Sequence, residues 1–206
     1  MKLFLASENA GKTRELKELL ARALPDIHVM SLVDLTAEQR DKYRAEETGK
    51  TYAENALIKA RGLSQALGAD RQDGFILSDD SGFEVEFLGG EPGVYSARFA
   101  ANDAERCEKI LRAVHGQPVE RRRARFVACL VLLERGVNPV CFFGRKDGFI
   151  SESARGRAGF GYDPIFSPLA GGKTWGELSA EEKNADSHRS RALDLVIQYL
   201  VRVVKD

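Results

Sequence analysis

The sequence predicts an α/β fold with a mixed sheet, on three observations. Short apolar runs of strand character alternate with segments of helical periodicity. Two pairs of strand-like runs follow one another with no helix between them, so part of the sheet can be antiparallel. The composition is that of a folded chain: 206 residues, 43% hydrophobic and 30% charged, which is enough to bury a core without disulfides or metal.

Each element has a local reason. Lys2 to Ala6 reads as a short buried strand. Leu16, Leu19, Leu20, Ala23 and Leu24 recur on one face of a helix that stops before Pro25. Ile27 to Met30 is a second strand, and the polar stretch 33–50 reads as loop or helix fragments. Thr51-Tyr52-Ala53-Glu54 is a capping-box pattern opening a helix that carries Ala56, Ala60, Leu63 and Leu67. Phe75-Ile76-Leu77 is a buried strand ending at Asp79-Asp80, and the alternation of Phe83, Val85 and Phe87 with acids predicts a separate, half-exposed strand. Asn102 caps a helix running to Val114. Phe126–Leu133 and Val140–Ile150 read as neighbouring strands around Gly136-Val137-Asn138-Pro139, and a last helix starts near Ser187. No linker composition divides the chain, so residues 1–206 read as a single domain, with two lobes sharing a sheet.

Several function classes are excluded by composition. Lys and Arg (31) balance Asp and Glu (31), which argues against a protein that coats nucleic acid or an anionic membrane. No apolar run approaches the ~18 residues of a membrane span, and the first residues have no signal-peptide pattern. Cys107, Cys129 and Cys141 form no C-x-x-C pair, so a reducing, cytoplasmic setting is expected.

Five segments carry candidate chemistry. Ser7-Glu8-Asn9-Ala10-Gly11-Lys12-Thr13 joins a strand to a helix and ends like a P-loop, but Ala6 stands where the first P-loop glycine belongs. A strand-to-helix turn still offers free N–H groups to an anion, with Ser7, Asn9 and Lys12 as further donors; the bland reading is a helix cap with an exposed lysine. Asp79 and Asp80 pair two carboxylates at a strand end, apt for a hard cation such as Mg²⁺ or for base catalysis toward water. In strict alternation they face opposite ways and have different tasks; the bland reading is an acidic turn before Gly82. Glu46-Glu47 and Glu54-Asn55 flank the second helix; Glu54 is explained as a capping residue, and the bland reading of Glu46 or Glu47 is a solvated loop carboxylate. In Gly159-Phe160-Gly161-Tyr162-Asp163-Pro164 the glycines leave amides accessible and Phe160 or Tyr162 can stack on a base. Finally Lys183, Ser187, His188 and Arg189 put cations at a helix N-terminus, against its dipole, where an anion or a carbonyl would explain them. Arg121, Arg122, Arg123 and Arg125 read as a solvated turn, and His28 and His115 suggest no role.

Taken together, these segments and Leu88-Gly89-Gly90-Glu91-Pro92-Gly93-Val94-Tyr95-Ser96-Ala97-Arg98 resemble the inosine/xanthosine triphosphate pyrophosphatase family over nearly the whole chain. The resemblance implies an elongated mixed sheet flanked by helices, two lobes with a nucleotide cleft between them, and a homodimer. It implies Mg²⁺-dependent hydrolysis of ITP, dITP or XTP to the monophosphate and pyrophosphate. Asp80 matches the proton acceptor and a metal ligand, and Glu46 the other ligand, with Glu47 its rival. Ser7, Glu8, Asn9, Ala10, Gly11, Lys12 and Lys183 match triphosphate and substrate contacts. Ser81, Phe160, Gly161, Tyr162, Asp163, His188 and Arg189 match substrate and base recognition. Glu8 departs from the family's usual glycine. The competing readings are a P-loop-like NTPase that releases orthophosphate and a nucleotide sensor without turnover.

Overall fold

The computed structural model describes residues 2–68, 74–134 and 136–203. The elements are β1 (Lys2–Ala6), α1 (Ala10–Ala23), β2 (His28–Ser31), α2 (Ala37–Lys42), α3 (Tyr52–Leu67) and β3 (Gly74–Val85). They continue with β4 (Pro92–Gly93), α4 (Asp103–Ala113), β5 (Arg123–Leu133), β6 (Val140–Ile150), β7 (Phe166–Ser167), α5 (Ala180–Asn184) and α6 (His188–Val203). The strands form one seven-stranded sheet in the order β2-β1-β3-β5-β6-β7, with β4 paired to β3. β1 runs parallel to both β2 and β3, whereas β4 and β7 pair antiparallel with β3 and β6. The sheet is therefore mixed, as predicted.

Two compact units divide the chain. Unit 1 holds Met1–Asp80, Ala128–Gly144 and Arg191–Asp206; unit 2 holds Ser81–Val127 and Arg145–Ser190. The core of unit 1 gathers Leu3 and Leu5 of β1, Leu16 and Leu20 of α1, Leu77, Leu130 and, from α6, Leu193 and Val196. Burying each such side chain is worth roughly 1.5–3 kcal/mol. The core of unit 2 is aromatic. Phe83 packs on Phe126, Tyr162 and Phe166, with ring centroids 4.7–5.9 Å apart, and Trp175 stacks on Phe126 at 4.8 Å.

Most predicted elements are present; five readings differ. The Asp79-Asp80 pair is not at a strand end: β3 runs unbroken from Gly74 to Val85, and Phe87 lies beyond it in a 3-10 turn. The acidic-turn reading fails with it, because Asp79 and Asp80 are both buried and find partners on helices α1 and α3. β2 starts one residue later than expected, and Ala23 of the predicted apolar face is exposed at the helix end. Only part of the arginine run is solvated: Arg121 and Arg123 are exposed, whereas Arg122 and Arg125 have partners. Buried Arg122 donates to the Ile150 carbonyl at 3.0 Å, and Arg125 on β5 pairs with Glu84 at 2.6 Å. Helix α5 went unpredicted although its signature is legible: Ser179 and Glu182 form a capping box.

Candidate active site

In unit 1 the site grows from the β1–β3 pairing. Ala6 sits opposite Ser78, so the turn that follows β1 lies beside the start of the aspartate pair. Asn9 is the N-cap of α1 and accepts from the Lys12 amide at 3.0 Å, while the Ser7 hydroxyl accepts from the Asn9 amide at 3.3 Å. One turn into the helix, Lys12 Nζ donates to Asp79 Oδ1 at 3.0 Å. Lys12 is thus no exposed lysine: its side chain is 13% exposed and that of Asp79 fully buried. Glu8, Asn9 and Ala10 are exposed, and Gly11 is half-buried in the first helical turn.

Asp80 faces the other way, as alternation requires. Its Oδ1 accepts from Lys59 Nζ at 3.0 Å and its Oδ2 from Asn55 Nδ2 at 3.3 Å. Both donors come from α3, four residues apart on one face. Lys59 also reaches Glu47 Oε1 at 2.8 Å, and Asn55 Oδ1 accepts from the Gly49 amide at 2.8 Å. Segment 43–49 can lie this close because Gly62 faces it: a Cβ there would collide with the Arg44 carbonyl.

Burial pushes the Asp80 carboxyl above the usual range, against the opposing pull of Lys59 and Lys12; Glu47 adds to the rise. Burial works to lower Lys59, but the charges of Asp80, Glu47 and Asp79 outweigh it and the ammonium is held. Three carboxylates therefore surround two ammonium groups, an excess of negative charge. Of the two candidate ligands, Glu47 belongs to this cluster, whereas Glu46 is exposed and only its backbone carbonyl has a local role, accepting from Thr48. Among the described residues, no group of three or more His, Cys, Asp or Glu side chains is assembled to hold an ion.

Unit 2 carries the second cluster. Lys183 Nζ and Asp163 Oδ2 form a buried pair at 2.6 Å. Lys183 sits in the last turn of α5, where a cation complements the helix dipole rather than opposing it as expected. Its ammonium lies 4.8 Å from the Phe160 ring centroid and 5.2 Å from that of Trp175. Ser187 and Ser190 exchange hydrogen bonds at the start of α6. His188 stacks on Phe126 at 4.8 Å, nearly parallel to it. The Arg189 guanidinium, 5.7 Å from the Phe160 centroid, donates to Ser81 Oγ at 3.1 Å. Tyr162 is not a stacking surface: its ring is core, against Phe83, and its hydroxyl donates to the Ser96 carbonyl at 2.8 Å. The loop amides are not open donors either. Phe160 N–H goes to Asp163 Oδ2 at 2.9 Å and Gly161 N–H to Asp103 Oδ2 at 2.7 Å. Half-buried Phe160 is the loop's exposed aromatic face.

Lys59 and Asp103 carry these contacts without having been read as candidate site residues in the sequence. Their signals are weak, a lysine on a helix face and an aspartate in a first turn, because the contacts to Asp80 and Gly161 span 20 or more residues.

The lysine–carboxylate cluster of unit 1 and the cation-rich aromatic cluster of unit 2 each have chemistry suited to an enzyme that handles nucleotides, the first to phosphate and metal and the second to a base. The chain belongs to the Ham1 family, whose model matches residues 3–199. A dITP/XTP pyrophosphatase of Yersinia pseudotuberculosis is 44% identical over 204 residues, covering 97% of this chain and 98% of that protein. One from Geobacillus kaustophilus is 43% identical over 194 residues, covering 93% and 90%. Among solved structures, a HAM1 protein from Coxiella burnetii aligns with a TM-score of 0.81 at 38% identity, covering 98% of this chain and 99% of that one. The Staphylococcus aureus Ham1 protein gives 0.79 at 35% identity, covering 97% and 98%.

Proposed function

We propose that this chain hydrolyses non-canonical purine nucleoside triphosphates (ITP, dITP, XTP) to the monophosphate and pyrophosphate, with residues 1–206 acting as one catalytic domain. The observation that carries the reading is Asp80, a buried carboxylate of raised basicity held from two sides by Lys59 and Asn55. In this role it accepts the proton of the water that attacks the α-phosphorus. Pyrophosphate leaves with its charge met by cations, so no protein nucleophile is needed.

The donor set fits Mg²⁺. Glu47 and Asp80 offer hard oxygen atoms within one negative cluster, and Mg²⁺ is commonly bound by one or two carboxylates, the rest being substrate phosphate and water. Between Glu46 and its rival Glu47, membership of the Lys59–Asp80 cluster supports Glu47 as the second ligand. When bound, the ion supplies neutralisation of phosphate charge. Lys12 and the turn from Ser7 to Gly11, including Glu8, Asn9 and Ala10, meet the triphosphate. Phe160 stacks on the purine, and Lys183, His188, Arg189 and Ser81 read its edge, with Gly161, Tyr162 and Asp163 holding the loop. A homodimer, as the resemblance implies, remains part of this reading. Among the described residues no helix is long and apolar enough to cross a membrane.

Base choice follows from donor chemistry. Guanidinium and ammonium groups are donors only; they suit a 6-oxo oxygen and meet the adenine 6-amino group donor to donor. Such a polar mismatch in a desolvated site costs about 3 kcal/mol, or roughly 10²-fold. Steady-state kinetics with ITP and ATP test this: kcat/KM should favour ITP by at least ~10²-fold, and equal values would refute it. Nucleotide binding without turnover in Mg²⁺ would favour the sensor.

A further inference from the structure

The loop that presents Phe160 is held from outside at one residue, Gly161. Gly161 donates its N–H to Asp103 Oδ2 at 2.7 Å and accepts from Cys107 Sγ at 3.3 Å. Asp103 and Cys107 lie four residues apart on α4, so one helix face grips both backbone polar groups of Gly161. The thiol is a weak donor, which leaves the charged Asp103 bond as the stronger of the two. Gly161 has φ 63°, and nothing lies within 4 Å of where its Cβ would be. Asp103 is itself aimed: Arg106 Nη1 donates to its Oδ1 at 2.6 Å, and Arg106 Nε to the Ala100 carbonyl at 3.3 Å. Within the loop, Asp163 binds both the Phe160 amide and Lys183. A loop tip that slipped from Asp103 would carry the Phe160 ring away from Lys183 and Arg189.

We propose that Asp103 is a positioning residue for purine recognition: by latching Gly161 to α4 it fixes the Phe160 ring against the cations that read the base. It touches neither phosphate nor reacting atoms. The inference rests on the base-reading role proposed above for Phe160. A purely structural Asp103, serving only the α4 dipole and Arg106, would affect stability without distinguishing base from phosphate.

The test compares wild type, Asp103→Ala and Asp103→Asn, the last keeping an oxygen that can accept the Gly161 N–H. Steady-state ITP kinetics are measured together with inhibition by IMP and by inorganic tripolyphosphate, and with thermal melting. Asp103→Ala should raise KM for ITP and Ki for IMP about 5- to 20-fold, a charged hydrogen bond discounted for half-exposure. Its kcat and its Ki for tripolyphosphate should stay within about twofold, which is too small a change to count as a lost charged contact. Asp103→Asn should stay near wild type in IMP binding. The inference is overturned if Asp103→Ala binds IMP like wild type, if IMP and tripolyphosphate weaken equally, or if Asp103→Asn fails as fully as Asp103→Ala. Failure of the functional reading looks different: wild type itself would not turn over ITP, while IMP binding measured calorimetrically on the three proteins would still read the latch.

Discussion

Lys59 Nζ lies 3.0 Å from Asp80 Oδ1 and 2.8 Å from Glu47 Oε1, so a single buried ammonium joins the residue proposed as base to the residue proposed as metal ligand. Lys59→Met deletes the charge while keeping most of the bulk. Breaking a buried pair by removing one partner costs about 3–5 kcal/mol, and the variant should lose stability of that order together with most of its turnover. Denaturant unfolding alongside ITP kinetics checks both. A stable, fully active Lys59→Met would show the cluster to be incidental.

Asp80→Asn keeps the shape of the side chain and removes the basic oxygen. Loss of general-base assistance is worth roughly 10²–10⁴ in rate, and kcat should fall by at least that lower bound. The stability effect combines two opposing contributions. The folded pKa of Asp80 is raised above its value in the unfolded chain, so the buried carboxylate itself costs stability once pH rises through the folded value. Asp80→Asn removes that cost but also takes a counter-charge from buried Lys59, which keeps Glu47 as its partner. In metal-free buffer Asp80→Asn should therefore lose clearly less stability at neutral pH than Lys59→Met, and the contribution of the carboxylate should fade as pH falls through the folded pKa. Thermal melts against pH read this directly; a strongly destabilised variant would show that Asp80 holds the fold.

Much of this was legible in the sequence. Strands and helices with a strict apolar period or a capping box, such as α3 behind Thr51, come from local chemistry. The unbroken course of β3 through Asp79 and Asp80 does not: two adjacent acids argue for a strand end, and only Lys12, Lys59 and Asn55, from distant helices, make a buried strand tolerable. The same holds for Lys12, which looked solvent-facing until the β1–β3 register set it beside Asp79, and for the Phe160 and Gly161 amides, whose partners Asp163 and Asp103 take them from the substrate.

Lys12→Ala should now affect both stability and catalysis. A charge-assisted phosphate contact is worth about 1.5–3 kcal/mol, or about 10–150-fold in kcat/KM. Because Asp79 is fully buried, removal of its lysine should also lower stability, and the double variant Lys12→Ala/Asp79→Asn should regain stability without regaining activity. Full activity in that double variant would remove Lys12 from phosphate binding.

Arg189→Ala removes a buried guanidinium that bonds Ser81 and faces Phe160. ITP activity should fall more than ATP activity, narrowing the ratio between them. An equal fall on both substrates would assign Arg189 to phosphate binding or to structure.

The most direct test of the proposed chemistry is the identity of the products. Wild-type protein incubated with ITP and Mg²⁺ and followed by phosphorus NMR should yield IMP and pyrophosphate, from cleavage between the α- and β-phosphates. Accumulation of IDP and orthophosphate would contradict the account and favour a P-loop-like NTPase.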